Sequence, residues 1–182
     1  MGKNKKKRKK NNTSSSSLSS SSNNNNDNIN KIYQLKTQME DVFYNTTWDK
    51  DNMMYKCIKK DLMENNGIFE IKQMITKEEA FKVIELAEST GFQETFQRET
   101  RECAFRKNGR LQIHSEKLAQ ILFDRIQMHL PTFNDKIKPI GLSDNFRLYK
   151  YTPGQAFGPH IDESVRTNAG YATLYTLLNV FK

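Results

Sequence analysis

Cysteine is scarce in this chain of 182 residues: Cys57 and Cys103 are the only two, and they lack CxxC spacing. That excludes a disulfide framework and suits two packing thiols in a reducing compartment. Long apolar runs are missing too. The richest stretch, Tyr171–Phe181, has 11 residues and includes Thr173, Thr176 and Asn179. A bilayer span needs about 20 apolar residues, so no membrane partner is expected. No secretory leader opens the chain, because its basic start runs into Asn and Ser instead of an apolar stretch. A myristoylation motif fails as well, since Lys6 stands where Ser or Thr is required. These absences point to a cytoplasmic or nuclear protein.

Excess positive charge is lacking everywhere except in one block. Lys and Arg total 29 against 21 Asp and Glu, a net charge of +8. Seven of the cations are Lys3, Lys5, Lys6, Lys7, Arg8, Lys9 and Lys10; without them 22 basic face 21 acidic residues. A nearly neutral remainder excludes a broadly basic nucleic-acid-binding body and leaves a basic arm. Residues 1–30 contain only Met1, Leu18 and Ile29 as apolar side chains, between runs of Ser and Asn. Such a stretch has too little to bury to offset the entropy of ordering it, so it is expected to be a disordered tail. Its basic block suits nuclear targeting, or nucleic acid bound through residues 3–10.

Beyond the tail the patterns predict structure. Ile32, Leu35, Met39, Val42 and Phe43 recur at helical spacing within a lead-in of residues 31–66 that also carries Trp48 and Tyr55. Asn65-Asn66-Gly67 signals a turn into a strand at Ile68–Ile71, the expected start of the main domain, residues 67–182. Thr76 and Glu79 form a capping box for a helix that buries Ala80, Phe81, Val83, Ile84 and Ala87 and ends at Gly91. A second helix from about Ser115 presents Leu118, Ile121, Leu122, Arg125 and Ile126, and Pro131 stops it. Asn108-Gly109 is expected to turn a hairpin. Asn145–Tyr151, a short piece at Phe157–Ile161 and Tyr171–Phe181 are expected as strands, giving an α+β fold.

Only three histidines occur, His114, His129 and His160. Asp162 follows His160 at two residues, and in extended chain such side chains leave the same face, so an imidazole and a carboxylate can share one cation. The alternative is chance proximity. His114 and His129 suit structural positions beside helix ends.

The stretch Arg147-x-Tyr149-x-Tyr151-x-Pro153-Gly154-x-x-Phe157-x-Pro159-His160-Ile161-Asp162, followed by Thr173–Asn179, resembles the iron(II)- and 2-oxoglutarate-dependent oxygenases of the prolyl 4-hydroxylase-like group. The resemblance is specific over Asn145–Asn179 and weak back to Gly67. It implies an incomplete double-stranded β-helix, or jelly roll, braced by N-terminal helices. It makes His160 and Asp162 two of three iron ligands and gives Tyr151 a hydrogen bond to 2-oxoglutarate, against the equally weighted reading of a sheet tyrosine satisfied by a neighbour. Arg147 and Tyr149 are expected to be sheet residues that support the site or face away from it. Fe(II) and 2-oxoglutarate would be the cofactors, with ascorbate an optional addition, and a peptide or protein side chain, prolyl among them, the substrate. Two imidazoles and a carboxylate on one octahedral face leave positions for the keto-acid and O₂.

The family's third ligand, a later histidine, and the basic residue after it have no counterpart, for no histidine follows Asp162. A truncated or inactive form is therefore expected. A noncatalytic binding module that uses the basic arm for RNA or an acidic partner is the alternative.

Overall fold

The computed structural model describes residues 19–45, 57–63, 67–133, 136–166 and 170–181. Helix α1 (Ser19–Asn45) is followed by strands β1 (Ile58–Met63) and β2 (Ile68–Lys72), helix α2 (Lys77–Thr90), strands β3 (Gln93–Gln97) and β4 (Arg106–His114), helix α3 (Glu116–Ile126), a 3-10 turn at Gln127–His129, and strands β5 (Asn145–Lys150) and β6 (Ala156–Phe157). The strands form two antiparallel sheets: β1 pairs with β2, and β3-β4-β5 form a second sheet in which β6 also pairs with β4. The architecture is α+β.

Helix α1 buries Leu35, Met39 and Phe43, four residues apart, with Ile32 and Val42 packed beside them. This is the stripe that the spacing predicts. The helix begins at Ser19 and so takes in residues 19–30 of the expected tail; residues 1–18 lie outside the described residues. So do Trp48, Tyr55, Asn65 and Asn66. The strand at Ile68 does not open the fold, because β1 precedes it and pairs with it.

Helix α2 starts as predicted. Thr76 Oγ1 accepts from the Glu79 amide at 3.1 Å, and the Thr76 amide donates to Glu79 Oε2 at 2.8 Å. Gly91, at φ 87°, closes the helix by donating to the Ala87 carbonyl. The buried side is rotated from the expected one: Glu79, Val83 and Ala87 are buried, whereas Phe81 is 70% exposed and Ile84 lies at the rim. The cause is Glu79, which turns inward to meet Arg125. Phe81, two positions on, then points to the opposite side.

Arg125 of α3 donates to Glu79 Oε1 at 2.7 Å and Oε2 at 2.9 Å, and to the carbonyls of Met74 and Phe43 at 3.2 and 3.3 Å. Both side chains are about 2% exposed. One guanidinium thus joins the end of α1, the approach to α2 and α3. Ser115 adds a second tie, capping α3 through the Leu118 amide at 3.0 Å while donating to Glu40 of α1 at 2.6 Å.

Gly109 lies inside β4, paired with Glu94 and Lys150. The expected hairpin at Asn108-Gly109 is therefore overturned. The glycine serves packing instead, since a Cβ there would sit 2.8 Å from Cβ of Phe92. Tyr171–Phe181 is also not a strand; only Ala172 bridges, to Arg166, and Leu178 and Val180 are largely exposed.

We predict that Glu79→Ala lowers unfolding free energy by about 3–5 kcal/mol, because it strands the Arg125 charge in the core. Urea denaturation measures this, and Glu79→Leu/Arg125→Met is expected to recover most of the loss. Gly109→Ala is expected to cost about 1–3 kcal/mol in the same assay. Burial pushes the Cys57 thiol up, with Arg125 opposing. Its contribution to stability is then complete below the unfolded thiol range and falls as pH rises through the folded value. Cys103 is exposed, so thiol titration is expected to show one fast cysteine, with Cys57 reacting only on unfolding.

Candidate metal centre

The segment that carries His160 is anchored by β6, where Phe157 pairs with Arg106 and Ala156 with Lys107. Its approach is a tight turn: Gly154 takes φ 82°, the Gln155 amide donates to the Thr152 carbonyl, and Gln155 Oε1 receives the Thr152 amide. Positive φ explains the glycine after Pro153. Just past β6 the Gly158 amide donates to Phe105 O at 2.7 Å, which holds the chain against the start of β4.

Three contacts orient His160. Its ring stacks on Phe157 with centroids 3.7 Å apart at 18°. Its Nδ1 lies 2.9 Å from the Gly158 carbonyl. Because a carbonyl only accepts, Nδ1 carries the proton. Nε2 then points at Asp162, 3.4 Å from Oδ1. The carboxylate is held from its other side, where Thr176 donates to Oδ2 at 2.9 Å. The Thr176 loop is tied back in turn, since Thr173 Oγ1 accepts from the Val165 amide and the Thr173 amide donates to the Val165 carbonyl.

His160 Nε2 and Asp162 Oδ1 therefore converge, each oriented by a bond on its far atom. That is the arrangement by which outer hydrogen bonds fix a metal-binding imidazole and carboxylate. The pair lies at the surface, with side chains 37% and 56% exposed. The contact is an ion pair only when the imidazole carries both protons, and an exposed pair of that kind is worth about 0–1 kcal/mol. The donors fit two positions of a divalent cation. A third is not supplied, for among the described residues no group of three or more His, Cys, Asp and Glu side chains is placed to hold a metal.

The other candidates lie apart from this pair. Tyr151 follows β5, and its hydroxyl accepts from Asn108 Nδ2 at 3.3 Å; among the described residues no hydrogen bond joins it to His160 or Asp162. His114 ends β4, with Nδ1 3.4 Å from Asp144 Oδ2 and Nε2 3.2 Å from Gln112 Nε2. His129 sits in the 3-10 turn after α3. Arg147 and Tyr149 lie on β5, on the sheet face away from the apolar core. Sequence reasoning passed over Thr176 and Arg106. Thr176 lies fourteen residues from the carboxylate it orients, and the guanidinium of Arg106 lies 3.9 Å over the Phe157 ring.

No protein-family model, curated protein or solved structure matches the chain. Among the described residues, no helix is long and apolar enough to cross a membrane.

We predict that long-range ¹H–¹⁵N spectra show His160 protonated at Nδ1, as the Gly158 contact demands. Thr176→Val is expected to release Asp162 and broaden the Asp162 resonances, while the β3–β4–β5 amides stay unmoved.

Proposed function

We propose that this chain is an iron(II)- and 2-oxoglutarate-dependent dioxygenase-like protein, with an incomplete jelly roll, in which His160 and Asp162 form two-thirds of the metal-binding set. The convergence of His160 Nε2 and Asp162 Oδ1 to 3.4 Å, with both far atoms held by hydrogen bonds, is the observation that carries this reading. The sequence around the pair supplies the resemblance. When bound, iron and 2-oxoglutarate supply decarboxylation of the keto-acid coupled to hydroxylation of a C–H bond of a peptide or protein side chain, prolyl among them.

The chain's own residues do the positioning. Gly158 sets the imidazole tautomer, Phe157 fixes the ring plane, and Thr176 turns one carboxylate oxygen toward the imidazole. Tyr151 offers a hydroxyl that would have to leave Asn108 to receive the keto-acid. With two protein donors and no basic residue assigned to the far carboxylate of the keto-acid, the 182-residue chain is read as inactive in turnover. The second reading, a binding module, rests on the seven cations of residues 3–10.

Anaerobic Fe(II) equilibrium dialysis tests the proposal. We expect weak uptake that is lost in both His160→Ala and Asp162→Ala, with succinate release from 2-oxoglutarate at or near background. Uptake unchanged in both variants contradicts the metal assignment. Robust 2-oxoglutarate-dependent succinate release by this chain contradicts the inactive reading.

A further inference from the structure

The two faces of the β3–β4–β5 sheet have opposite characters. Leu111 and Ile113 of β4, with Phe146 and Leu148 of β5, pack into the apolar core beneath the helices. The other face presents Arg106, Asn108, Arg110 and Gln112 from β4 and Arg147 and Tyr149 from β5. The β3 residues aligned with that side are Gln93, Thr95 and Gln97. Among the described residues, none that β3, β4 and β5 place on this side carries a carboxylate; Asp144, just before β5, lies 3.4 Å from His114, and Asp162 lies beyond the Phe157 end of the face. Among these residues Arg147 is exposed and Arg106, Arg110 and Tyr149 are half-buried. None belongs to the core cluster.

Three guanidinium groups without a carboxylate make the face a cationic patch on a body whose charge is otherwise balanced. Strand register places Arg147 opposite Gln112 and so diagonal to Arg110, about 7–8 Å away. Arg110 and Gln112 are already aligned by a bond of 2.6 Å. Asn108 itself is buried in this face, and among the described residues its Oδ1 and the Nε of Arg106 have no hydrogen-bond partner; the exposed donors are those of Arg147, with Arg106 and Arg110 half-buried.

Two kinds of extended polyanion match that spacing, and the rings decide between them. Binding of single-stranded nucleic acid draws on open aromatic faces for base stacking. Here Phe157 has Arg106 at 3.9 Å and His160 at 3.7 Å from its centroid, and two groups that close cannot share one face, so both faces are filled. Tyr149 lies beneath Arg106 as well, at 6.0 Å, and the Tyr151 hydroxyl is engaged by Asn108. The guanidinium groups offer paired donors suited to carboxylates.

We propose that this sheet face docks an extended acidic peptide, with carboxylates on alternate residues taken by Arg110 and Arg147 and a further one by Arg106. Arg106 and His160 flank the same Phe157 ring, so the docking face adjoins the His160–Asp162 pair, whose carboxylate marks the end of the cationic patch. The proposal stands on charge and topology and does not rest on the oxygenase reading, since docking requires no metal.

The test uses the full chain with the basic residues at positions 3–10 changed to Gln, which removes polyanion binding by the arm. The probes are a fluorescent peptide of alternating Glu and Ser and an oligouridylate of equal charge, with anisotropy as the readout and no metal present. We expect salt-sensitive binding of the peptide, weakened about tenfold or more in Arg110→Gln/Arg147→Gln, and weaker binding of the oligouridylate. Circular dichroism checks the fold, and Arg147→Glu alone, at an exposed position, replaces the double variant if that misfolds. Unchanged affinity in the folded variants, absence of peptide binding, or tighter binding of the oligouridylate overturns the proposal.

Discussion

The ion pair of Glu79 with Arg125 is the constraint on which the helical layer depends. Glu79 caps its own helix and accepts both arms of the guanidinium, while Arg125 also reaches carbonyls at Phe43 and Met74. A charge so deeply buried survives only when its partners are complete. Its demands therefore set the rotation of α2, the end of α1 and the seat of α3 together. The ring of Phe43 lies 5.3 Å from the same guanidinium, which joins the apolar core of α1 to the polar knot.

The helical layer in turn supports one face of the β3–β4–β5 sheet and leaves its other face polar. Gly109 lets Phe92 approach that sheet closely. The start of β4 then provides the edge on which β6 pairs, and β6 delivers His160. The candidate centre is thus built at the far end of a sequence of supports that begins in the core. Its last two bonds, from His160 to the Gly158 carbonyl and from Thr176 to Asp162, are local and solvent-facing.

Much of this was legible where physics is local. The Thr76–Glu79 box, the stripe from Leu35 to Phe43 and the stop after α3 depend on neighbours within a few turns, and the structure has each of them. Gly109 was misread because a glycine in a turn and a glycine under an aromatic ring look alike without the tertiary contact. Phe81 was misread because an apolar side chain was given the buried side that a charged residue takes. Part of the Ser/Asn-rich segment, from Ser19 on, is helical despite its composition, continuous with the amphipathic stretch that follows. In the site, spacing of two residues was enough to place His160 beside Asp162, whereas Thr176 and Arg106 arrive through pairings between distant segments that no short motif encodes.

The central claim is that His160 and Asp162 act as paired donors to one divalent cation. Titration of the metal-free chain with Mn(II), observed through its three histidine ring signals, tests this most directly. The account predicts that His160 broadens at the lowest Mn(II), ahead of His114 and His129, and that Asp162→Asn abolishes the preference. Equal broadening of all three rings, or a His160 response indifferent to Asp162→Asn, would contradict it.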